Sequence, residues 1–77
     1  MNRLVRHDGL VRQYKSFIWI KWKEDWSFRS KHKKIAIGRS LMFGDWLTTT
    51  VTEILEESPE YIKFKTKNST YELFINK

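Results

Sequence analysis

The sharpest pattern in the chain is Tyr61-Ile62-Lys63-Phe64-Lys65-Thr66-Lys67, in which inward-suited and basic residues alternate with period two. Successive side chains of a strand point to opposite faces, so this alternation predicts a half-buried strand; a helix would scatter the same residues around its circumference. The next apolar run is Thr70 to Ile75, and a two-residue loop at Asn68-Ser69 pairs Thr66 with Tyr71, Phe64 with Leu73 and Ile62 with Ile75. These six are expected to share the buried face. Lys63, Lys65, Lys67, Glu72 and Phe74 take the other, with Lys65 opposite Glu72 as a cross-strand ion pair.

Upstream, Trp46-Leu47-Thr48-Thr49-Thr50-Val51-Thr52-Glu53-Ile54-Leu55 is dense in β-branched residues and predicts a long strand. Glu56 to Glu60, with Pro59 inside it, is the connecting turn; Ser58-Pro59-Glu60 has the form of a helix start, but the alternation that follows argues against a helix. Phe17 to Lys23 is also extended, with Ile18, Ile20 and Trp22 on one face and Phe17, Trp19, Lys21 and Lys23 on the other. A loop at Lys23-Glu24-Asp25 sets Trp22 against Trp26 and Ile20 against Phe28, and Trp22, Trp26, Phe64 and Leu73 are assigned to the core. Lys34 to Ile37 is a further short strand, Gly38 and Gly44 allow sharp corners, and Leu10 to Tyr14 is an edge strand. The expected fold is all-β: an antiparallel meander of four to six strands, closed or nearly closed into a small barrel so that few edges stay open.

Length makes residues 1–77 a single small domain. A domain of this size buries only about 60% of its unfolded surface. With no cysteine to staple it, the 16% aromatic content is what supplies a core. The longest apolar run, Phe17 to Ile20, is too short to cross a bilayer, and the basic start Met1 to Asp8 is not followed by the apolar segment of a secretion signal. The reading is an intracellular protein used as translated.

Charge changes the picture more than composition does. Residues 1–39 carry a net +8 and residues 40–77 a net −2. Arg29, Ser30, Lys31, His32, Lys33, Lys34 and Arg39 lie in a stretch with no carboxylate, a local field that suits phosphates or an acidic protein surface. The plain alternative is a solvated loop.

No constellation for catalysis is visible: no nucleophile beside a base, no paired carboxylates, no glycine-rich phosphate loop. His7-Asp8 and His32 are not brought together by spacing, Glu56-Glu57 reads as a turn, and two histidines without cysteine are too few for a zinc site. No enzyme activity, metal or cofactor is expected.

What remains is aromatic residues interleaved with basic ones, which is what single-stranded nucleic acid asks for: cations neutralise phosphates and an exposed ring stacks on a base. The candidate binding residues are Lys15, Phe17, Trp19, Lys21, Lys23, Arg29, Lys31, His32, Lys33, Lys34, Arg39, Lys63, Lys65, Lys67 and Phe74, with Trp19 and Phe74 as the outward rings. A core this small claims about two thirds of the aromatics for itself.

The stretch Asp45 to Ile54, followed by Phe64-Lys65-Thr66-Lys67-Asn68-Ser69-Thr70-Tyr71-Glu72-Leu73, resembles a pattern in small tailed-phage accessory proteins. It covers about a third of the chain and transfers no site residue. The resemblance implies an early or accessory product that binds a host factor or nucleic acid, often as an inhibitor of host metabolism or defence, in the host cytoplasm.

Two functions are therefore expected. The first is nucleic-acid binding, RNA or single strands before duplex, through the Arg29 to Arg39 loop and the Lys63, Lys65, Lys67 face. The second is binding to an acidic surface of a host protein, with Trp19 or Phe74 as anchor. A DNA mimic is excluded by the positive charge, membrane attachment lacks an amphipathic helix, and an edge strand offers a route to a homo-oligomer.

Overall fold

β-Branched and aromatic residues are dense from Phe17 to Trp22 and from Trp46 to Ile75, and these stretches pair into one sheet with the shorter strands around them. The computed structural model describes residues 1–22 and 29–76, with Arg29 described by its backbone alone. Eight strands are formed: β1 (Asn2–Arg6), β2 (Val11–Tyr14), β3 (Phe17–Trp22), β4 (Arg29–His32), β5 (Arg39–Phe43), β6 (Trp46–Glu57), β7 (Tyr61–Thr66) and β8 (Thr70–Phe74). Their order is β2-β1-β8-β7-β6-β5-β3-β4, and every neighbouring pair is antiparallel. No helix occurs among the described residues.

The all-β, largely meandering architecture is as expected, but it has eight strands where four to six were expected, and the sheet does not close. β3 uses both of its sides, on β4 and on β5, so β2 has no ladder to complete a ring against although only Lys15 and Ser16 separate it from β3. β2 and β4 are left as edges. The sheet instead curls on the twelve-residue β6, whose pairing shifts register between Val51 and Glu53 and again between Ile54 and Glu56. Each shift is a bulge that bends the strand and sharpens its twist.

The curl brings distant strands together over one core of Leu4, Trp19, Ile35, Leu41, Phe43, Val51, Ile62, Phe64, Tyr71 and Leu73. Trp19 of β3 meets Phe64 of β7 edge to face at 5.3 Å, and Phe64 stacks on Tyr71 at 5.4 Å. Each such ring pair adds roughly 0.5–1.5 kcal/mol beyond area burial. Ile35 enters from the β4–β5 connection, so the expected strand at Lys34 to Ile37 is an irregular segment pinned by one buried side chain.

The β7–β8 hairpin shows how local chemistry sets register. Its turn is centred on Lys67-Asn68, closed by the Thr66 amide donating to the Ser69 carbonyl at 2.8 Å and by the Thr66 hydroxyl, which accepts from the Ser69 amide at 3.3 Å. Moving a turn by one residue shifts the register by two, so Phe64 faces Tyr71, Ile62 faces Leu73, and Lys63, not Lys65, faces Glu72. A shift of two leaves every side chain on its expected face. Ile62, Phe64, Thr66, Tyr71 and Leu73 are buried as the alternation required, and Ile75 packs against them.

The β3 faces are inverted relative to expectation. Trp19 and Phe17 point to the core, with Trp19 only 1% exposed, while Ile18, Ile20 and Trp22 lie on the opposite face. Ile20 is fully buried without belonging to the core cluster. A strand covered on both faces has no alternation to read. Ile20 lies opposite Lys31 and Ser40; the expected loop at Lys23 to Asp25 and the partners it was to supply, Trp26 for Trp22 and Phe28 for Ile20, fall outside the described residues.

Candidate functional site

The face of β4, β3, β5 and the first half of β6 that points away from the core is built by cross-strand partners: Ile20 beside Lys31 and Ser40, Ile18 beside Met42, Met42 beside Leu47, and Ser40 beside Thr50. Two depressions lie on it. The larger, about 420 Å³, is lined by Tyr14, Ser16, Phe17, Ile18, Lys31, Met42 and Gly44. The smaller, about 220 Å³, is lined by Trp22, Ser40, Thr48, Thr49, Thr50 and Lys67. Within it the Trp22 indole donates to the Ser40 hydroxyl at 3.2 Å, and the buried Thr48 hydroxyl accepts from the Leu41 amide at 2.9 Å.

The larger groove gathers residues that the aromatic and basic interleaving pointed to. Lys31 and Phe17 line it, and Lys15 stands exposed between its wall residues Tyr14 and Ser16. Buried Asn2 fixes that corner: its amide donates to the Lys15 carbonyl at 3.0 Å while its carbonyl oxygen accepts from the Asn76 amide at 2.9 Å. Tyr14, 47% exposed, is the accessible ring here. It was legible only as the neighbour of Lys15, and Met42 carried no signal in the sequence.

The rest of the basic set divides into residues the fold brings together and residues it does not. Lys33 and Lys34 are exposed, and Arg39 donates to the Lys34 carbonyl at 2.6 Å, which ties the end of the β4–β5 connection down. Lys21 and Arg39 lie directly opposite each other on β3 and β5, a like-charge pair that sheets ordinarily avoid. The Gly38 amide donates to the Val51 carbonyl at 2.8 Å, and Val51 faces Thr66 across β6–β7. Two strand spacings put Gly38 within about 10 Å of Thr66. The basic connection therefore adjoins the Lys67 turn.

Lys63 and Lys65 do not belong to this field. Lys63 lies between Glu56 and Glu72 in register, and Lys65 lies beside Glu53. Phe74 is not a free ring either: Arg3 sits over it at 4.5 Å and Tyr61 packs on it at 5.1 Å. Trp19 is in the core, Lys23 is outside the described residues, and Arg29 is placed by its backbone on the β4 edge. Arg6 and Arg12 lie over Trp46 at 5.6 and 5.1 Å, so these guanidiniums of β1 and β2 are engaged with that ring. Glu53, Glu56, Glu57 and Glu60 make the far half of β6 and its turn acidic.

His32 shares a 2.9 Å hydrogen bond with the Ser30 hydroxyl, a nucleophile and a base side by side that spacing did not show. A working pair also needs a group to orient the base. His32's partner on β3 is Trp19, whose ring is committed to the core. Away from this face, hydrogen bonding shifts the proton affinities of Asp8 and Tyr61. The Arg6 guanidinium, followed by the Leu10 amide, holds the Asp8 carboxyl down at about 2, and the Glu72 carboxylate holds the Tyr61 hydroxyl up at about 12. Among the described residues no group of three His, Asp or Glu side chains is disposed to hold a metal, and no helix is long and apolar enough to cross a membrane.

No family model, no curated protein and no solved structure matches this chain.

Proposed function

We propose that this domain is a non-enzymatic binding module that grips the phosphate backbone of a nucleic acid, RNA or single strands ahead of duplex. The observation that carries the reading is the grouping of Lys31, Lys33, Lys34, Arg39 and Lys67 about β4, the β4–β5 connection and the turn it adjoins, with Lys21 opposite Arg39 on the core-side face of β3 and β5, while Glu53, Glu56, Glu57 and Glu60 lie at the far end of β6. Holding Lys21 directly opposite Arg39 costs stability in the free protein and is offset once a polyanion lies between them. The phage-type setting implied by the resemblance belongs to the same reading, with a host-cell nucleic acid as the target.

One observation favours a second reading. Ile18, Met42 and Leu47 are neighbours across β3, β5 and β6, and Leu47 is 44% exposed, so the basic face has an apolar strip that suits a protein partner with an acidic rim.

The test is fluorescence-anisotropy titration with labelled single-stranded RNA, single-stranded DNA and duplex DNA across a salt series, comparing the wild type with Lys31→Glu/Lys33→Glu/Lys34→Glu. Exposed charges add little to stability, so the triple variant is expected to fold. Its binding should fall by more than tenfold, and the slope of log K against log salt should shrink as phosphate contacts are lost. Equal binding by both proteins removes the basic segment from the site. Absence of binding to all three nucleic acids hands the face to a protein.

A further inference from the structure

We infer that the Tyr14 groove seats one unpaired base of a single-stranded nucleic acid, with Lys31 on the adjoining phosphate; the inference rests on the nucleic-acid reading above and names the ligand at one place on it. Tyr14 ends β2 and is 47% exposed. Its ring is nevertheless held. One side lies against Gly44, where an added β-carbon would come within 2.6–2.9 Å of three ring carbons, and the ring packs at an angle to Phe43 with centroids 6.3 Å apart. A ring fixed by its surroundings and open on one side stacks on a base with little ordering left to lose.

The chemistry of the lining selects the ligand. Ile18 and Met42 form an apolar floor, and a thioether adapts to aromatic surfaces of varied outline. Ser16 supplies a hydroxyl that both donates and accepts, suited to the polar edge of a heterocycle. The charged side chain in the lining is Lys31, and the exposed Lys33 and Lys34 follow it along the chain, so the ligand that fits is flat, aromatic and anionic on one side. The groove of about 420 Å³ is of the size that accepts a small heterocycle rather than a helix or a strand. A base inside a duplex has both faces covered by its neighbours, so the seat requires a single strand, a loop or an unpaired end.

The probe is a labelled oligouridine strand, with a duplex of matched length as control, titrated against the full chain as wild type, Tyr14→Ala and Tyr14→Phe. Tyr14→Ala should weaken single-strand binding by about 5- to 100-fold while leaving the salt slope and the duplex affinity unchanged. Tyr14→Phe keeps the ring and should bind within about twofold of wild type. Ultraviolet cross-linking of the wild-type protein to the same strand, followed by peptide mapping, should place an adduct on Tyr14, and this measurement stands even where Tyr14→Ala fails to fold. Unchanged single-strand affinity in Tyr14→Ala, or adducts confined to other residues, overturns the base seat and leaves the phosphate-gripping face intact. Wild-type protein that binds neither probe overturns both.

Discussion

Tyr14 and Gly44 fit against each other so closely that a β-carbon on Gly44 would stand 2.6 Å from the Tyr14 Cδ1 atom. The contact joins the edge strand β2 to the β5–β6 turn, two parts of the sheet that share no ladder hydrogen bonds. It also combines two constraints at one position, because Gly44 has φ of +64°, a left-handed conformation that costs other residues roughly 1–2 kcal/mol.

Gly44→Ala should therefore destabilise the fold by more than the backbone penalty alone, since the Tyr14 ring must also move. In a Tyr14→Ala background the steric part disappears and only the roughly 1–2 kcal/mol of backbone strain remains. Urea denaturation of the two single variants and the double variant measures the coupling; additive effects would mean that the ring moves aside at no cost.

Trp19→Ala should cost about 3–5 kcal/mol, the range for removing a large aromatic side chain from a packed core. Trp19 is 1% exposed and edge-on to Phe64, so losing it empties the middle of the molecule. A chain of this size has little stability to spare, so the variant should be largely unfolded by circular dichroism at room temperature. A folded Trp19→Ala that merely loses partner binding would show that the ring faces outward.

That residue marks where the sequence stops being legible. On β7 and β8 one face meets solvent, so alternation was visible and Ile62, Phe64, Tyr71 and Leu73 are buried as read. On β3 both Trp19 and Ile20 are buried, on opposite faces, and period two cannot say which face holds the core. β1, β4 and β5 were missed: Asn2-Arg3-Leu4-Val5-Arg6 and Arg39-Ser40-Leu41-Met42-Phe43 carry only short apolar runs beside arginine, and Arg29-Ser30-Lys31-His32, expected to belong to a basic loop, has no apolar residue and is a strand through its pairing to β3. For the site, residue types were visible and neighbours were not. Lys63 and Lys65 look like Lys31 and Lys33 along the chain, and only the pairing to Glu53, Glu56 and Glu72 separates them.

Thr48→Val should lower stability by about 1–3 kcal/mol despite preserving shape, because the buried Leu41 amide loses its acceptor. The Thr48 hydroxyl, 5% exposed, stands in for a carbonyl where β5 and β6 slip out of register. The same change should speed hydrogen exchange at the Leu41 amide specifically. Unaltered exchange there would assign the hydroxyl to packing alone.

The Tyr61 hydroxyl donates to Glu72 at 2.5 Å, and this bond to a carboxylate raises the phenol to about 12 from its usual 10.0. A folded-state value above the unfolded one means that the native protein holds its proton longer. The contribution is complete below pH 10, declines as pH rises from there, and is gone once pH passes about 12. Tyr61→Phe should remove that part of the pH dependence, with the two stability curves converging at the alkaline end. Parallel curves across this window would show that the hydroxyl prefers water.

β1 takes one neighbour, β2, from the next few residues and the other, β8, from the far end of the chain, with Leu4 opposite Leu73. The first pairing closes a short loop, whereas the second must bring together segments separated by most of the polypeptide before any contact rewards it. Strand pairing of that separation is the slow kind, so the search for β8 sets the pace of acquiring the native state. Until it succeeds, β1 presents an open ladder to any other chain nearby, and refolding yield should fall as protein concentration rises even though the finished sheet is sealed at that seam.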